Sequence, residues 1–146
     1  MSTYSFVDVN ASLAGPTGVA TFGNGDAVAD EGITIDPVED KNTMQIAGDG
    51  EGLHSLHAGR AAHVTVRLLK SSPTNAVLMT MYDTQTTSSA LHGKNTITVT
   101  HTVSGDISTC SKVAFKKKPS IVYSKDAALM EWTFDAIKAD TILGTY

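Results

Sequence analysis

Leu129-Met-Glu-Trp-Thr-Phe-Asp-Ala-Ile-Lys138 sets Met130, Trp132, Phe134 and Ala136 against Glu131, Thr133, Asp135 and Ile137. A period of two sends successive side chains to opposite faces, so this stretch predicts a long, half-buried strand. Val64, Val66 and Leu68 alternate in the same way with His63, Thr65, Arg67 and Leu69. In Thr96-Ile-Thr-Val-Thr-His-Thr-Val103, Ile97, Val99 and Val103 share one side; Ser104-Gly-Asp106 breaks the run, and Ser108 to Lys116 returns as a hairpin. Nearer the start, Val7, Val9, Ala11 and Leu13 oppose Asp8, Asn10 and Ser12. Gly15-Pro-Thr-Gly18 then reads as a turn and Val19 to Phe22 as the return strand. Gly23-Asn-Gly-Asp26 is a second break, and Ile33 and Ile35 alternate up to Pro37, where a strand should stop. Met44 with Ile46, and Ile121 to Tyr123, mark two further short strands.

One segment keeps a different period. Ser72 is placed to cap a helix and Pro73 to occupy its first position, since proline's missing N–H costs nothing there. Val77, Leu78, Met81 and Tyr82 then fall on one helical face. The Thr/Ser run from Thr84 to Ser89 should end the helix, because those side chains compete for backbone hydrogen bonds. The expected fold is therefore mainly β: an antiparallel sandwich or barrel of about eight strands, with one flanking helix at about 73–86.

Length and composition narrow the class. At 146 residues, 41% hydrophobic and 18% charged, the chain fits one globular domain spanning 1–146. No apolar run approaches the roughly 18–20 residues of a spanning helix, so no membrane anchor is expected. Met1-Ser-Thr-Tyr-Ser-Phe6 has neither a basic n-region nor an apolar h-region, which predicts synthesis and folding in a cytoplasm. Cys110 is the only cysteine, so stability must come from packing or assembly and not from an intrachain disulfide. A net charge of -4 argues against a domain that grips phosphates.

The segment from Ala47 to Gly59 carries glycine at 48, 50, 52 and 59 and predicts an extended loop at about 47–60. A loop that long is more often functional or ordered by a partner than idle. It also holds Asp49, Glu51, His54 and His57, close in sequence to His63. Those residue types suit zinc, but His54 and His57 are three apart with no glutamate between them, unlike a helical HExxH site. Asp49-Gly-Glu-Gly52 lacks the alternating acidic ligands of a calcium loop. There is no GxSxG elbow, Walker loop or GxGxxG, and Cys110 lies mid-strand as a small buried residue. Glu131 and Asp135 share a strand face as ordinary surface acids, and Trp132 with Phe134 reads as core. Lys116-Lys117-Lys118 is the one basic run: it either guards a strand end or pairs with acids on a neighbour.

Several blocks together resemble one family. They are Glu31-Gly-Ile-Thr-Ile35, Asp40-Lys-Asn-Thr-Met44, Asp49-Gly-Glu-Gly-Leu-His-Ser-Leu56, Val66-Arg-Leu-Leu-Lys70 with Ser72-Pro-Thr-Asn75, Val113-Ala-Phe-Lys-Lys-Lys-Pro119, Glu131-Trp-Thr-Phe-Asp-Ala-Ile-Lys138 and Leu143-Gly-Thr-Tyr146. The chain resembles the tail-tube proteins of contractile-tailed, myovirus-type bacteriophages. That resemblance implies a β-sandwich or barrel with a flanking helix, shared with type VI secretion tubes. It implies hexameric rings stacked helically into a tube within a tail sheath, with baseplate and tail-terminator proteins at the ends. The tape-measure protein and DNA would pass through the lumen without specific binding, and no cofactor would be needed. The expected location is the virion tail, assembled in the bacterial host cytoplasm.

Within that picture, Gly48, Asp49, Gly50, Glu51, Gly52, Leu53, His54 and His57 are expected to bridge neighbouring subunits. Lys116, Lys117 and Lys118 are expected to meet an acidic surface of a neighbour or of the sheath. The tube of a bacteriocin or secretion system, a β-sandwich ligand-binding module, and an enzyme using the histidine loop remain the alternatives.

Overall fold

The computed structural model describes residues 2–23 and 28–146; the break expected at Gly23–Asp26 falls largely outside them. A short 3-10 turn, Phe6–Asp8, precedes β1 (Val9–Gly15) and β2 (Gly18–Gly23). β3 (Val28–Pro37), β4 (Asn42–Ile46), β5 (Gly52–Leu56) and β6 (Ala62–Leu68) follow, then α1 (Thr74–Gln85). β7 (Asn95–His101), β8 (Asp106–Lys117) and β9 (Met130–Ile142) complete the chain. Seven strands form one antiparallel sheet in the order β2-β1-β7-β8-β9-β6-β3, and β4 pairs only with β5.

The alternating stretches form the strands expected of them. Met130, Trp132, Phe134 and Ala136 of β9 are buried, as are Val64, Val66 and Leu68 of β6. Leu13 of β1, Phe22 of β2, Ile97 of β7 and Val113 of β8 join the same cluster. Both flanks of the sheet feed one core, so the sheet curls on itself. Each such side chain, removed from water, contributes about 1.5–3 kcal/mol. Phe115 sits at the centre, 4.9 Å from Phe134 and 6.0 Å from Trp132 between ring centroids.

On β8 the inward set shifts from Phe115 and Val113 to Cys110. A bulge makes the shift: Asn95 pairs with Val113 but Ile97 with Cys110, so Ser111 and Lys112 together oppose Thr96. Lys112 takes φ 54, among the described residues the one non-glycine with positive φ.

The helix lies over the open side of the curl. Its buried face is Asn75, Leu78, Met81 and Gln85, whereas Val77, expected inside, is exposed. The sequence reading followed apolar residues and missed that amides occupy both ends of the buried stripe. At the start of α1, Asn75 Oδ1 accepts from Trp132 Nε1 at 3.0 Å, and Asn75 Nδ2 donates to the Leu69 carbonyl at 2.9 Å. At its end Gln85 and Asn95 exchange two hydrogen bonds, of 2.8 and 2.6 Å, and Gln85 also donates to Thr17 Oγ1. Gly15 makes room for that pair, since a Cβ there would overlap Asn95 Oδ1. Pro73, not Ser72, occupies the cap position and offers no side-chain cap. Thr84 and Thr86 bond back to the Thr80 and Tyr82 carbonyls where the helix fades, as the Thr/Ser run predicts.

Three other readings differ from the structure. Among the described residues there are nine strands, and Gly52–Leu56, expected as loop, is one of them. Ile121 to Tyr123, read as a strand, has no regular structure. Val7 lies in the 3-10 turn and Val103 in the turn after β7, both exposed, so the alternation overran each strand by a few residues.

Two outcomes check this account. Gln85→Leu and Asn95→Leu each leave a buried amide without its partner and should each cost about 1–3 kcal/mol in urea unfolding. The double variant should cost clearly less than their sum, and strict additivity would contradict the pairing. At the bulge, Lys112→Val should lower stability by about 1–3 kcal/mol because a β-branched residue strains at positive φ. Lys112→Gly should be close to neutral, and equal effects of the two would contradict the strain.

Candidate assembly surfaces

β4 and β5 extend beyond the sheet as a continuation of the β3–β6 pair. Val38 N–H donates to the Ala61 carbonyl and His57 N–H to the Lys41 carbonyl, carrying the antiparallel pairing outward. Ile46 pairs with Gly52, Ala47 N–H donates to the Glu51 carbonyl at 2.7 Å, and Gly48, Asp49 and Gly50 make the connection. Gly50 has φ 93, which an L side chain adopts only under strain, and Asp49 Oδ1 accepts from the Glu51 N–H. The glycine-rich segment is thus a hairpin turn and a strand, in place of the extended loop expected. Asp-Gly between alternating apolar residues is a strong hairpin signal, and it was legible at Asp49-Gly50.

Every residue of β4 is exposed, and β5 is exposed but for a half-buried Ser55. The register places Met44, Ile46 and Leu56 on one face with Asn42 and His54; Leu53 lies on the other with Thr43, Gln45 and Ser55. Leu56 is 87% exposed and Ile46 60%. A lone two-stranded hairpin is marginal in water, and grouped exposed apolar side chains mark an interaction surface. At the root, Arg60 Nη1 reaches both oxygens of Asp140 at 3.0 and 3.1 Å, and the Ala139 N–H donates to the Arg60 carbonyl. The root borders a cleft of about 490 Å³ lined by Ile35, Pro37, Arg60, Ala62, Ala139 and Asp140 among others.

The histidines take separate partners. His54 Nδ1 lies 3.2 Å from Asn42 Nδ2, His57 Nε2 2.7 Å from Thr43 Oγ1, and His63 Nδ1 2.6 Å from Asp135 Oδ1. Among the described residues, no group of three or more His, Cys, Asp or Glu is placed to hold a metal. Cys110 is buried, and that burial, aided by the charge of Asp140, pushes its thiol pKa up and keeps it protonated. No helix among the described residues is long and apolar enough to cross a membrane.

Gly48 to His57 therefore share one hairpin, while Lys116, Lys117 and Lys118 lie at the opposite end of the strands. Ala62, at the hairpin root, pairs with Ala136, whereas Leu68 pairs with Met130 and Lys117 with Thr133. The lysine end carries surfaces the sequence reading missed. Lys70 Nζ lies 3.8 Å from the centroid of the Tyr123 ring and donates to the Val122 carbonyl, fixing the segment between β8 and β9. Ile121, Val122 and Tyr123 stay exposed there. At the hairpin end, His101 is buried between Tyr4 and Tyr146, with ring centroids 5.3 and 5.7 Å away, and so ties both terminal segments to the end of β7.

Solved structures share this fold. A chain of an extracellular contractile injection system, in the PVC sheath-tube complex in its extended state, superposes with a TM-score of 0.58 at 16% identity, covering 97% of this chain and 92% of that one. A chain of the anti-feeding prophage cap, the AFP tube terminating cap, gives 0.59 at 14% identity over 99% and 93%. A chain of the PVC sheath/tube terminator in the extended state gives 0.57 at 16% over 97% and 98%. No curated protein matches the chain in sequence. The model of one family, the bacteriophage PhiTE tail tube protein, matches residues 1–144. With that match over nearly its whole length, the chain belongs to the bacteriophage PhiTE tail tube protein family.

Proposed function

We propose that this tail-tube subunit, a single domain over 1–146, forms hexameric rings that stack into a hollow tube inside a contractile sheath, giving DNA its channel during ejection. The observation that carries the reading is the exposed hairpin Asn42–Leu56, whose apolar side chains find no cover among the described residues. A neighbouring subunit supplies that cover. The sheet also ends in two strands, β2 and β3, each paired on one side only, and ring closure is a standard means of protecting such edges.

Family membership makes the chain a structural component of the virion tail. Proteins of the same fold are described as parts of a sheath-tube complex and as tube terminators or caps. In our reading this chain likewise works beside a sheath, with terminator and baseplate proteins closing the tube. It performs no catalysis and takes no cofactor. The tape-measure protein and DNA pass through the bore unbound, because a chain of net charge -4 offers phosphates little hold. Synthesis and assembly take place in the host cytoplasm.

Hydrogen exchange on dispersed and assembled protein tests the reading. In the monomer, amides of Asn42–Leu56 should exchange fast, since the hairpin is solvated on both faces. In assembled material they should slow by about tenfold or more, corresponding to at least about 1.4 kcal/mol of added protection. Equal exchange in both states would contradict a bridging hairpin.

A further inference from the structure

Both terminal segments meet at the connection between β7 and β8. Thr102 N–H donates to the Asp8 carbonyl at 3.0 Å, and Gly144 N–H to Asp106 Oδ1 at 2.7 Å. Beside these bonds stands His101, 6% exposed, with the Tyr4 ring stacked on it at an interplanar angle of 13° and the Tyr146 ring tilted at 56°. Ser104 N–H donates to His101 Nδ1 at 3.3 Å, so Nδ1 carries no proton and the ring's hydrogen sits on Nε2. Nε2 is buried and finds no hydrogen-bond partner among the described residues. Phe6 carries the first segment across to β3, the far edge of the sheet: its ring fills the space that a Cβ on Gly32 would take, and Gly32 has φ 57. A cleft of about 220 Å³ between the flanks of the curl is lined by Tyr4, Phe6 and Leu143 from these segments and by Val9, Ile33 and Val99 from the sheet.

We propose that His101 is the pivot of a latch: residues 2–8 and 143–146 close over this cleft together and are released together. The coupling comes from the unpaired Nε2–H. A buried donor without an acceptor is costly, and it has no alternative while both tyrosines cover the ring. With either tyrosine gone, the imidazole can turn Nε2 toward water, and that turn removes the platform on which the other tyrosine rests. The latch is therefore all or none, and it opens without unfolding the sheet. A contact made with one terminal segment is then felt at the other: whatever draws Tyr146 away also frees Tyr4 and opens the cleft. The device belongs to the single subunit and holds independently of the tube reading.

Amide exchange on the full chain tests it, because each segment has its own reporter: Thr102 N–H for residues 2–8 and Gly144 N–H for 143–146. Tyr4→Ala and Tyr146→Ala change exposed side chains, so the fold should survive both. Each should speed exchange at both reporters by about fivefold or more, and the double variant should add little to either single one. Exchange at Ile97, on a strand inside the sheet, should keep its wild-type rate. His101→Asn keeps an acceptor for the Ser104 N–H but offers no ring, and it should free both reporters as well; should that variant not fold, the two tyrosine variants decide alone. If Tyr146→Ala speeds only Gly144, or Tyr4→Ala only Thr102, the ends are independent and the latch is overturned. Wild-type rates at both reporters would overturn it too. So would equal acceleration at Ile97, since the segments would then open only with the whole fold.

Discussion

The fold depends on holding one helix across the open side of a curled sheet. Two amide contacts do this, at either end of α1. Asn75 links Trp132 on β9 to the backbone after β6, and Gln85 locks onto Asn95 at the start of β7. Leu78 and Met81 fill the space between them. A purely apolar stripe would bury the helix as well but would leave its rotation and register looser. Paired amides accept only one seat, because any other leaves buried donors and acceptors without partners. With the sheet fixed in this way, the hairpin leaves from one end and the lysine segment from the other.

A rigid body with two outward-looking ends is suited to assembly. The core takes up the inward face of the sheet, and two of the places where apolar side chains remain in water lie at opposite ends of the strands. One is the hairpin, with Met44, Ile46 and Leu56 in water; the other is the segment around Tyr123 beside a run of lysines. Edge strands β2 and β3 add unpaired backbone. Here the histidines the sequence brings close are dispersed, each on its own neighbour.

Much of the fold was legible because alternation is a direct imprint of a half-buried sheet. Met130-Glu-Trp-Thr-Phe-Asp-Ala136 and Val64-Thr-Val66 showed their inward faces without ambiguity. The helix was legible in place but not in rotation, since Asn75 and Gln85 look like surface residues until Trp132 and Asn95 are brought to them from elsewhere in the chain. The bulge at Lys112 left no local mark, because a lysine at positive φ is imposed by strand pairing. The hairpin was misread as a loop because glycine count outweighed the Asp49-Gly50 turn signal. Its apolar face could not be told from core by pattern alone: Met44 and Ile46 alternate as buried strand residues do. Ile121 to Tyr123 misled for the same reason, being apolar and β-prone yet placed outside the sheet.

The central claim is that exposed surface on this chain is completed by further copies of it. Electron cryomicroscopy of the purified protein at high concentration tests that most directly. The account predicts hollow tubes of stacked rings in which Asn42–Leu56 lies against a neighbouring copy. Monomer-sized particles at every concentration, or rings whose hairpins project into open solvent, would contradict it.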